Sequence, residues 1–130
     1  MENKFSFEDL LVYRKALDYV DCVYEWTQEF PKEEKFGLTS QFQRAAQSIA
    51  LNIGEGSGGS KAEFQHFIKI ARRSVRECIV CATLARRRNY LSEKDEAKSR
   101  ERASELSKML SGLFKAIGCS ELQTHNSRLI

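Results

Sequence analysis

Apolar residues recur at steps of three and four along almost the whole of this 130-residue chain, and a single proline, Pro31, interrupts them. That period is the period of an amphipathic helix, which leaves packed helices as the economical way to bury the apolar side chains. From Phe7 to Gln28, the side chains of Leu10, Tyr13, Leu17, Val20, Tyr24 and Thr27 share one face at about 100° per residue, with Arg14, Asp18, Asp21 and Glu25 opposite. Ser6 followed by Asp9 offers an N-cap pairing, and Pro31 ends the helix. A second helix is predicted from about Thr39 to Glu55, with Phe42, Ala45, Ala46, Ile49, Ala50 and Ile53 inward and Gly54, Gly56, Gly58 and Gly59 closing it. The capping box Ser60-Lys61-Ala62-Glu63 opens a third helix that runs to about Asn89. Its inward residues are Phe64, Phe67, Ile68, Ala71, Val75, Cys78, Ile79, Ala82 and Ala85. Ser92 caps a fourth, with Ala103, Leu106, Leu110, Leu113 and Ile117 inward and Gly118 at its end.

Four helices of similar length with short loops predict an all-α fold, an up-down antiparallel four-helix bundle over residues 1–118. Residues 119–130 read as a flexible tail. No apolar run reaches the roughly 18–20 residues that a bilayer span requires, and Met1-Glu2-Asn3-Lys4 lacks a signal-peptide pattern. The expected location is cytoplasmic, with Cys22, Cys78, Cys81 and Cys119 as reduced thiols.

There is more apolar surface than one bundle needs. Val12, Tyr19 and Trp26 form a second line on the first helix, seven residues apart, and Ile70, Cys81 and Leu84 lie outside the main arc of the third. A bundle helix needs one stripe, so these residues predict a homo-oligomer interface built on the first and third helices.

Catalytic and cofactor motifs fail on context. Gly54, Gly56 and Gly59 spell GxGxxG, but that fingerprint needs a preceding strand, and here a helix precedes it. The pair Cys78 and Cys81 lies mid-helix with no second Cys or His pair to complete a zinc site. His66 and His125 belong to no nucleophile–base spacing. The chain reads as a non-enzyme without metal or cofactor. Asn52 and Glu55, at the glycine-rich end of the second helix, are candidates for a corner bond or a partner contact.

Charge supplies the main functional signal. The net charge is only +3, yet residues 60–90 carry 8 basic and 2 acidic side chains. Lys69, Arg73, Arg76 and Arg87 project within about 60° of one another, with Arg72 on the flank and Arg86 and Arg88 widening one end. Guanidinium rows of this kind suit phosphate backbones, RNA or DNA. The same row could instead pair with Asp18, Asp21 and Glu25 of a neighbouring subunit, or serve as an adaptor surface for an acidic protein. No aromatic residue interleaves the arginines, so base stacking and sequence readout are not supported.

Five blocks occur in order: Phe7 to Tyr13 (FEDLLVY), Phe30 to Leu38 (FPKEEKFGL), Gln41 to Ile49 (QFQRAAQSI), Asn52 to Gly56 (NIGEG) and Phe67 to Ser74 (FIKIARRS). In these the chain resembles the bacterial four-helix bundle proteins encoded in intervening sequences of 23S ribosomal RNA genes, over about residues 5–118. The resemblance implies a ring-shaped homopentamer of up-down bundles. It also implies kinship with the accessory variability protein of diversity-generating retroelements, a basic pentamer that binds nucleic acid and a reverse transcriptase. This chain departs from the pattern in having Gly54 where family members often have Ala, and in its acidic first half.

Overall fold

The computed structural model describes residues 3–119. Among them are four α-helices and no strand: α1 Leu11–Thr27, α2 Leu38–Gly56, α3 Lys61–Arg87 and α4 Glu93–Gly118. Single turns of 3-10 helix precede α1 (Ser6–Asp9) and α2 (Lys32–Glu34). The expected flexible tail lies, Cys119 apart, outside the described residues.

Contacts between helices fix their directions. Gln43 Nε2 donates to Thr27 Oγ1 (2.9 Å) at one end of the α1–α2 pair, while Phe7 lies against Gly54 at the other. Ser74 Oγ donates to Ser48 Oγ (2.8 Å) between α2 and α3, and Phe67 abuts Gly56. Gln65 Nε2 donates to the Phe114 carbonyl (3.0 Å) and Arg100 to Thr83 Oγ1 (3.3 Å) between α3 and α4. Tyr19 Oη meets Ser99 Oγ at 2.8 Å, and Lys15 meets Glu105 at 3.1 Å, between α1 and α4. In each pair the numbers run in opposite senses. Successive helices are therefore antiparallel and close an up-down bundle with α1 and α3 on a diagonal.

The ends of the helices follow local chemistry. The Ser60 box forms as read: Ser60 Oγ accepts from the Glu63 N–H (3.2 Å) and the Glu63 carboxylate from the Ser60 N–H (2.8 Å). Ser92 Oγ accepts from the Asp95 N–H (3.0 Å). The first helix starts later than expected: α1 opens at Leu11 after an extended Leu10 that offers no side-chain cap, and in the turn before it Glu8 accepts from the Phe5 N–H (3.2 Å) while Asp9 pairs with Lys4. At the end of α3, Asn89 takes a left-handed φ of 62°, and the Tyr90 N–H reaches back to the Ala85 carbonyl (2.9 Å). Asn tolerates that conformation, which stops the helix.

Gly37 has no side chain with which to cap α2, and Glu34 supplies one. Its carboxylate accepts from the Leu38 N–H (3.0 Å) and from the Tyr90 hydroxyl (3.1 Å). The Leu38 bond first, and the Tyr90 bond second, hold the Glu34 carboxyl below its ordinary value. A lowered folded value means that the stabilisation exists above the unfolded value and is lost as pH falls through the folded one. Glu34→Gln should therefore flatten the fall of the urea midpoint below about pH 5; identical acid profiles for the two proteins would refute the cap.

The core reverses one expectation about α1. Val12 and Tyr19 are 0% exposed, and Trp26, Ala16 and Val23 are buried beside them. These residues pack inside the chain's own bundle, so Val12, Tyr19 and Trp26 are core residues and not a spare apolar line left exposed for another copy. Most of the face expected inward is the outer one: Leu17 is 40% exposed, Tyr24 is similar, and Tyr13 and Val20 are half-buried, while Leu10 and Thr27, at its two ends, are buried as expected. Burial pushes the Tyr19 phenol far above its ordinary value, and Ser99 satisfies the hydroxyl. Cys81, expected outside the core arc of α3, is also buried. Leu84 is half-buried and leans on the core, and Ile70 is half-buried. Among the described residues no helix is long and apolar enough to cross a membrane.

Candidate nucleic-acid interface

A helix wedged between two others shows solvent a narrow strip, and on α3 that strip is cationic. Ile68, Ala71, Val75, Cys78, Ala82 and Ala85 are buried against α2 and α4. Lys69, Arg73, Arg76 and Arg87 stand about 160° around the helix from them. Arg73, Arg76 and Arg87 are exposed, and none makes a hydrogen bond or ion pair with a described residue. Val80, 56% exposed, fills the gap between Arg76 and Arg87 in the same row.

Of the remaining cations, Lys69, Arg72 and Arg86 are held by neighbours. Lys69 and Arg72 lie over the Phe114 ring at 5.9 and 5.3 Å, and Arg72 also donates to Ser111 Oγ (3.4 Å). The ring fixes their stems and leaves their charge intact. Arg86 sits 3.8 Å from Glu93 and donates to Asn89 (3.5 Å), so it is partly neutralised. Arg88 lies close enough to Glu34 and Tyr90 to influence both. The seven residues expected to act together thus divide into an unpaired row, a ring-supported flank and a tied end. Asp18, Asp21 and Glu25 belong to α1, diagonal to α3, and none of them pairs with the arginines of the same chain.

Asn52 and Glu55 part company. Asn52 Nδ2 donates to the Ser48 carbonyl (2.7 Å) and to Ser48 Oγ (2.9 Å), which also receives Ser74, so Asn52 belongs to the α2–α3 seam. Glu55 is exposed on the rim of an apolar groove of about 470 Å³ between α1 and α2, walled by Phe7, Tyr13, Leu17, Val20 and Leu51. At the groove's far end Gln47 Nε2 donates to the Tyr24 hydroxyl.

Sequence reasoning missed Val80, Leu51 and Phe36. Phe36 stands in the α1–α2 connection beside a second, polar cleft of about 530 Å³ between α2 and α3. The signal for Leu51 and Val80 was available, because each falls outside the stripe of its own helix. For Phe36 there was none, because only the fold brings the connection to α3.

Burial pushes the Cys78 thiol well above its ordinary value and the Cys81 thiol up to about 11, so both are protonated at neutral pH and behave as small apolar groups. Among the described residues, no group of three or more His, Cys, Asp or Glu is placed to hold a metal ion.

This architecture has known counterparts. A solved protein with unknown function from the S23 ribosomal protein family of Bacteroides thetaiotaomicron superposes with a TM-score of 0.74 over 82% of this chain and 97% of that one. At 24% identity the likeness is one of fold. No curated protein matches the chain. The family model described as 23S rRNA-intervening sequence protein matches residues 8–112, which takes in all of α1, α2 and α3 and most of α4. On that match, this chain belongs to the 23S rRNA-intervening sequence protein family.

Proposed function

We propose that this chain is a non-enzymatic bundle that binds the phosphate backbone of RNA or DNA through α3, and that it does so as an assembly of copies. The observation that carries the reading is the row of Arg73, Arg76 and Arg87, three exposed guanidinium groups with no acidic partner among the described residues. Like charges held in a row repel one another, and a polyanion relieves that repulsion while releasing its own counterions. Lys69 and Arg72, steadied on Phe114, extend the row toward the start of α3.

Assembly is proposed through the apolar groove between α1 and α2. Because α1 and α3 are diagonal, copies joined there leave α3 exposed, and a closed ring such as the homopentamer implied by the resemblance would repeat the basic row around its rim. The α1 acids Asp18, Asp21 and Glu25 make no ion pair with the arginines of their own chain. An acidic protein partner, such as a reverse transcriptase, is the alternative occupant of the same row.

The test is affinity for structured RNA as a function of salt. Arg73→Gln with Arg76→Gln should weaken binding equally across unrelated sequences and reduce the slope of log K against log salt by about 1.5, the share of two phosphate contacts. Unchanged binding after both substitutions would reject the phosphate reading. Capture of an acidic protein with no retention of nucleic acid would favour the adaptor.

A further inference from the structure

Phe36 is the residue that packing does not explain. It is 89% exposed, the most exposed of the large apolar side chains among the described residues. A Phe left in water forgoes about 1.5–3 kcal/mol of burial. Its backbone is nevertheless well tied, since the Gly37 N–H donates to the Glu34 carbonyl (2.9 Å) and the Glu34 carboxylate holds Leu38 and Tyr90. The ring is thus carried on a fixed turn and pointed at solvent. Lys35 Nζ lies over it, 5.4 Å from its centre, which covers one face and leaves the other for a planar group.

The polar cleft that begins at this ring runs between α2 and α3 and is lined by Ser40, Gln41, Arg44 and Glu77. Neither Arg44 nor Glu77 forms an ion pair with a described residue. Glu77 stands one helical turn from Arg73 and next to Arg76, so the α3 wall of the cleft is the edge of the basic row. A row that attracts phosphate, a cleft of hydrogen-bonding groups and an exposed ring therefore follow one another across about the width of one helix.

We infer that this cleft receives an unpaired base from a single-stranded segment whose phosphates lie along Arg73 and Arg76, with the base stacked on Phe36. The inference rests on the phosphate reading of α3 and adds to it the form of nucleic acid recognised. An aromatic face accepts any base, because every base has a π face. Gln41 and Arg44 donate to ring nitrogens and carbonyl oxygens. The Glu77 carboxylate accepts from donors: an exocyclic amino group of adenine, cytosine or guanine, or a ring N–H of guanine, uracil or thymine. Duplex bases are already stacked and keep their edges engaged, which excludes them from the cleft.

The experiment titrates the full chain with a short single strand carrying one 2-aminopurine and with a duplex of equal length at the same ionic strength. The single strand should bind more tightly, with a change in the fluorescence of the reporter base. Phe36→Ala should weaken single-strand binding by about tenfold or more, the usual worth of one aromatic stack, while duplex binding changes less than twofold. Phe36→Trp should restore single-strand affinity and show quenched tryptophan emission on binding. An unchanged thermal melt of Phe36→Ala excludes loss of folding as the cause. Equal affinity of wild type and Phe36→Ala for the single strand overturns the base site and leaves the phosphate row standing. Absence of binding to both nucleic acids overturns both.

Discussion

Val12→Asp should leave the chain unfolded, whereas Leu17→Asp should leave it folded and lower only its mass in solution. The two positions are five residues apart on α1 and equally apolar, so the contrast isolates what the fold does with each. Val12 is 0% exposed and packed among residues of the bundle's own core. A carboxylate there has no cationic partner, and the effective cost of burying one is several kcal/mol. A domain of this size is stable by only about 5–15 kcal/mol in total. Protonating the group lowers the penalty, but it also leaves a cavity shape and an unpaired hydroxyl that no neighbour satisfies. Leu17, at 40% exposure, already keeps much of its surface in water, and a charge there costs the monomer little. In an assembly that closes over the α1–α2 groove, the same charge is buried against a second copy. Circular dichroism melts and light scattering, run on both variants, give the answer. A folded Val12→Asp chain with the 14.9 kDa mass of one copy would return Val12 to a subunit interface. A Leu17→Asp protein with the mass of wild type would remove the groove from that role.

That inversion shows where the sequence was legible and where it was not. Helix number, order and the starts of α3 and α4 were readable because caps are local: Ser60 and Ser92 bond groups three residues away, and nothing distant can alter that arithmetic. The inward residues of α2 and α4 were readable too, because each of those helices has one apolar stripe. On α1 there are two, and apolar count alone chose the wrong one. The charges held the missing information. Arg14, Asp18, Asp21 and Glu25 lie about 150° from the Val12 line but only about 100° from the Leu17 line, so the Val12 line is the better diametric opposite of the solvated face. Ala16 also hid the true stripe, since a small residue contributes little to an apolar tally but packs where two helices come close.

The candidate site was half legible for a related reason. The arginines of α3 occupy one helix, so helical geometry alone puts them in a row. Which of them stay unpaired depends on Glu93 and Phe114, which come from α4. The polar cleft needs the α1–α2 connection, α2 and α3 together, and no periodicity within a single helix can foretell it. Phe36, likewise, is remote from the arginines in sequence and shares a cleft with Glu77, at their edge, in space.

Gly56→Ala should destabilise the fold by about 1–2 kcal/mol, while Gly54→Ala, two residues earlier, should be neutral or stabilising by up to about 1 kcal/mol. Both glycines lie in the last turns of α2, where Ala is the better helix former and gains at most about 1 kcal/mol over Gly. What separates them is the neighbour a methyl group would meet. At Gly56 it would stand 2.6 Å from Phe67 Cβ and 3.1 Å from the Phe64 ring. Phe67 Cβ is bonded directly to the backbone of α3, so relief requires the two helices to separate. Overpacking of that kind costs about 1–3 kcal/mol and outweighs the propensity gain. At Gly54 the methyl would meet the outer edge of the Phe7 ring at 3.3 Å. That ring is half-buried on the turn before α1 and can tilt by a few tenths of an ångström. The propensity term then decides the sign, in keeping with the alanine that the family resemblance leads one to expect at this position. Urea midpoints of the two single variants measure the difference directly. A stabilised Gly56→Ala would mean that α2 and α3 do not approach closely at this corner, and with it the packing that sets α3 between its neighbours would have to be redrawn.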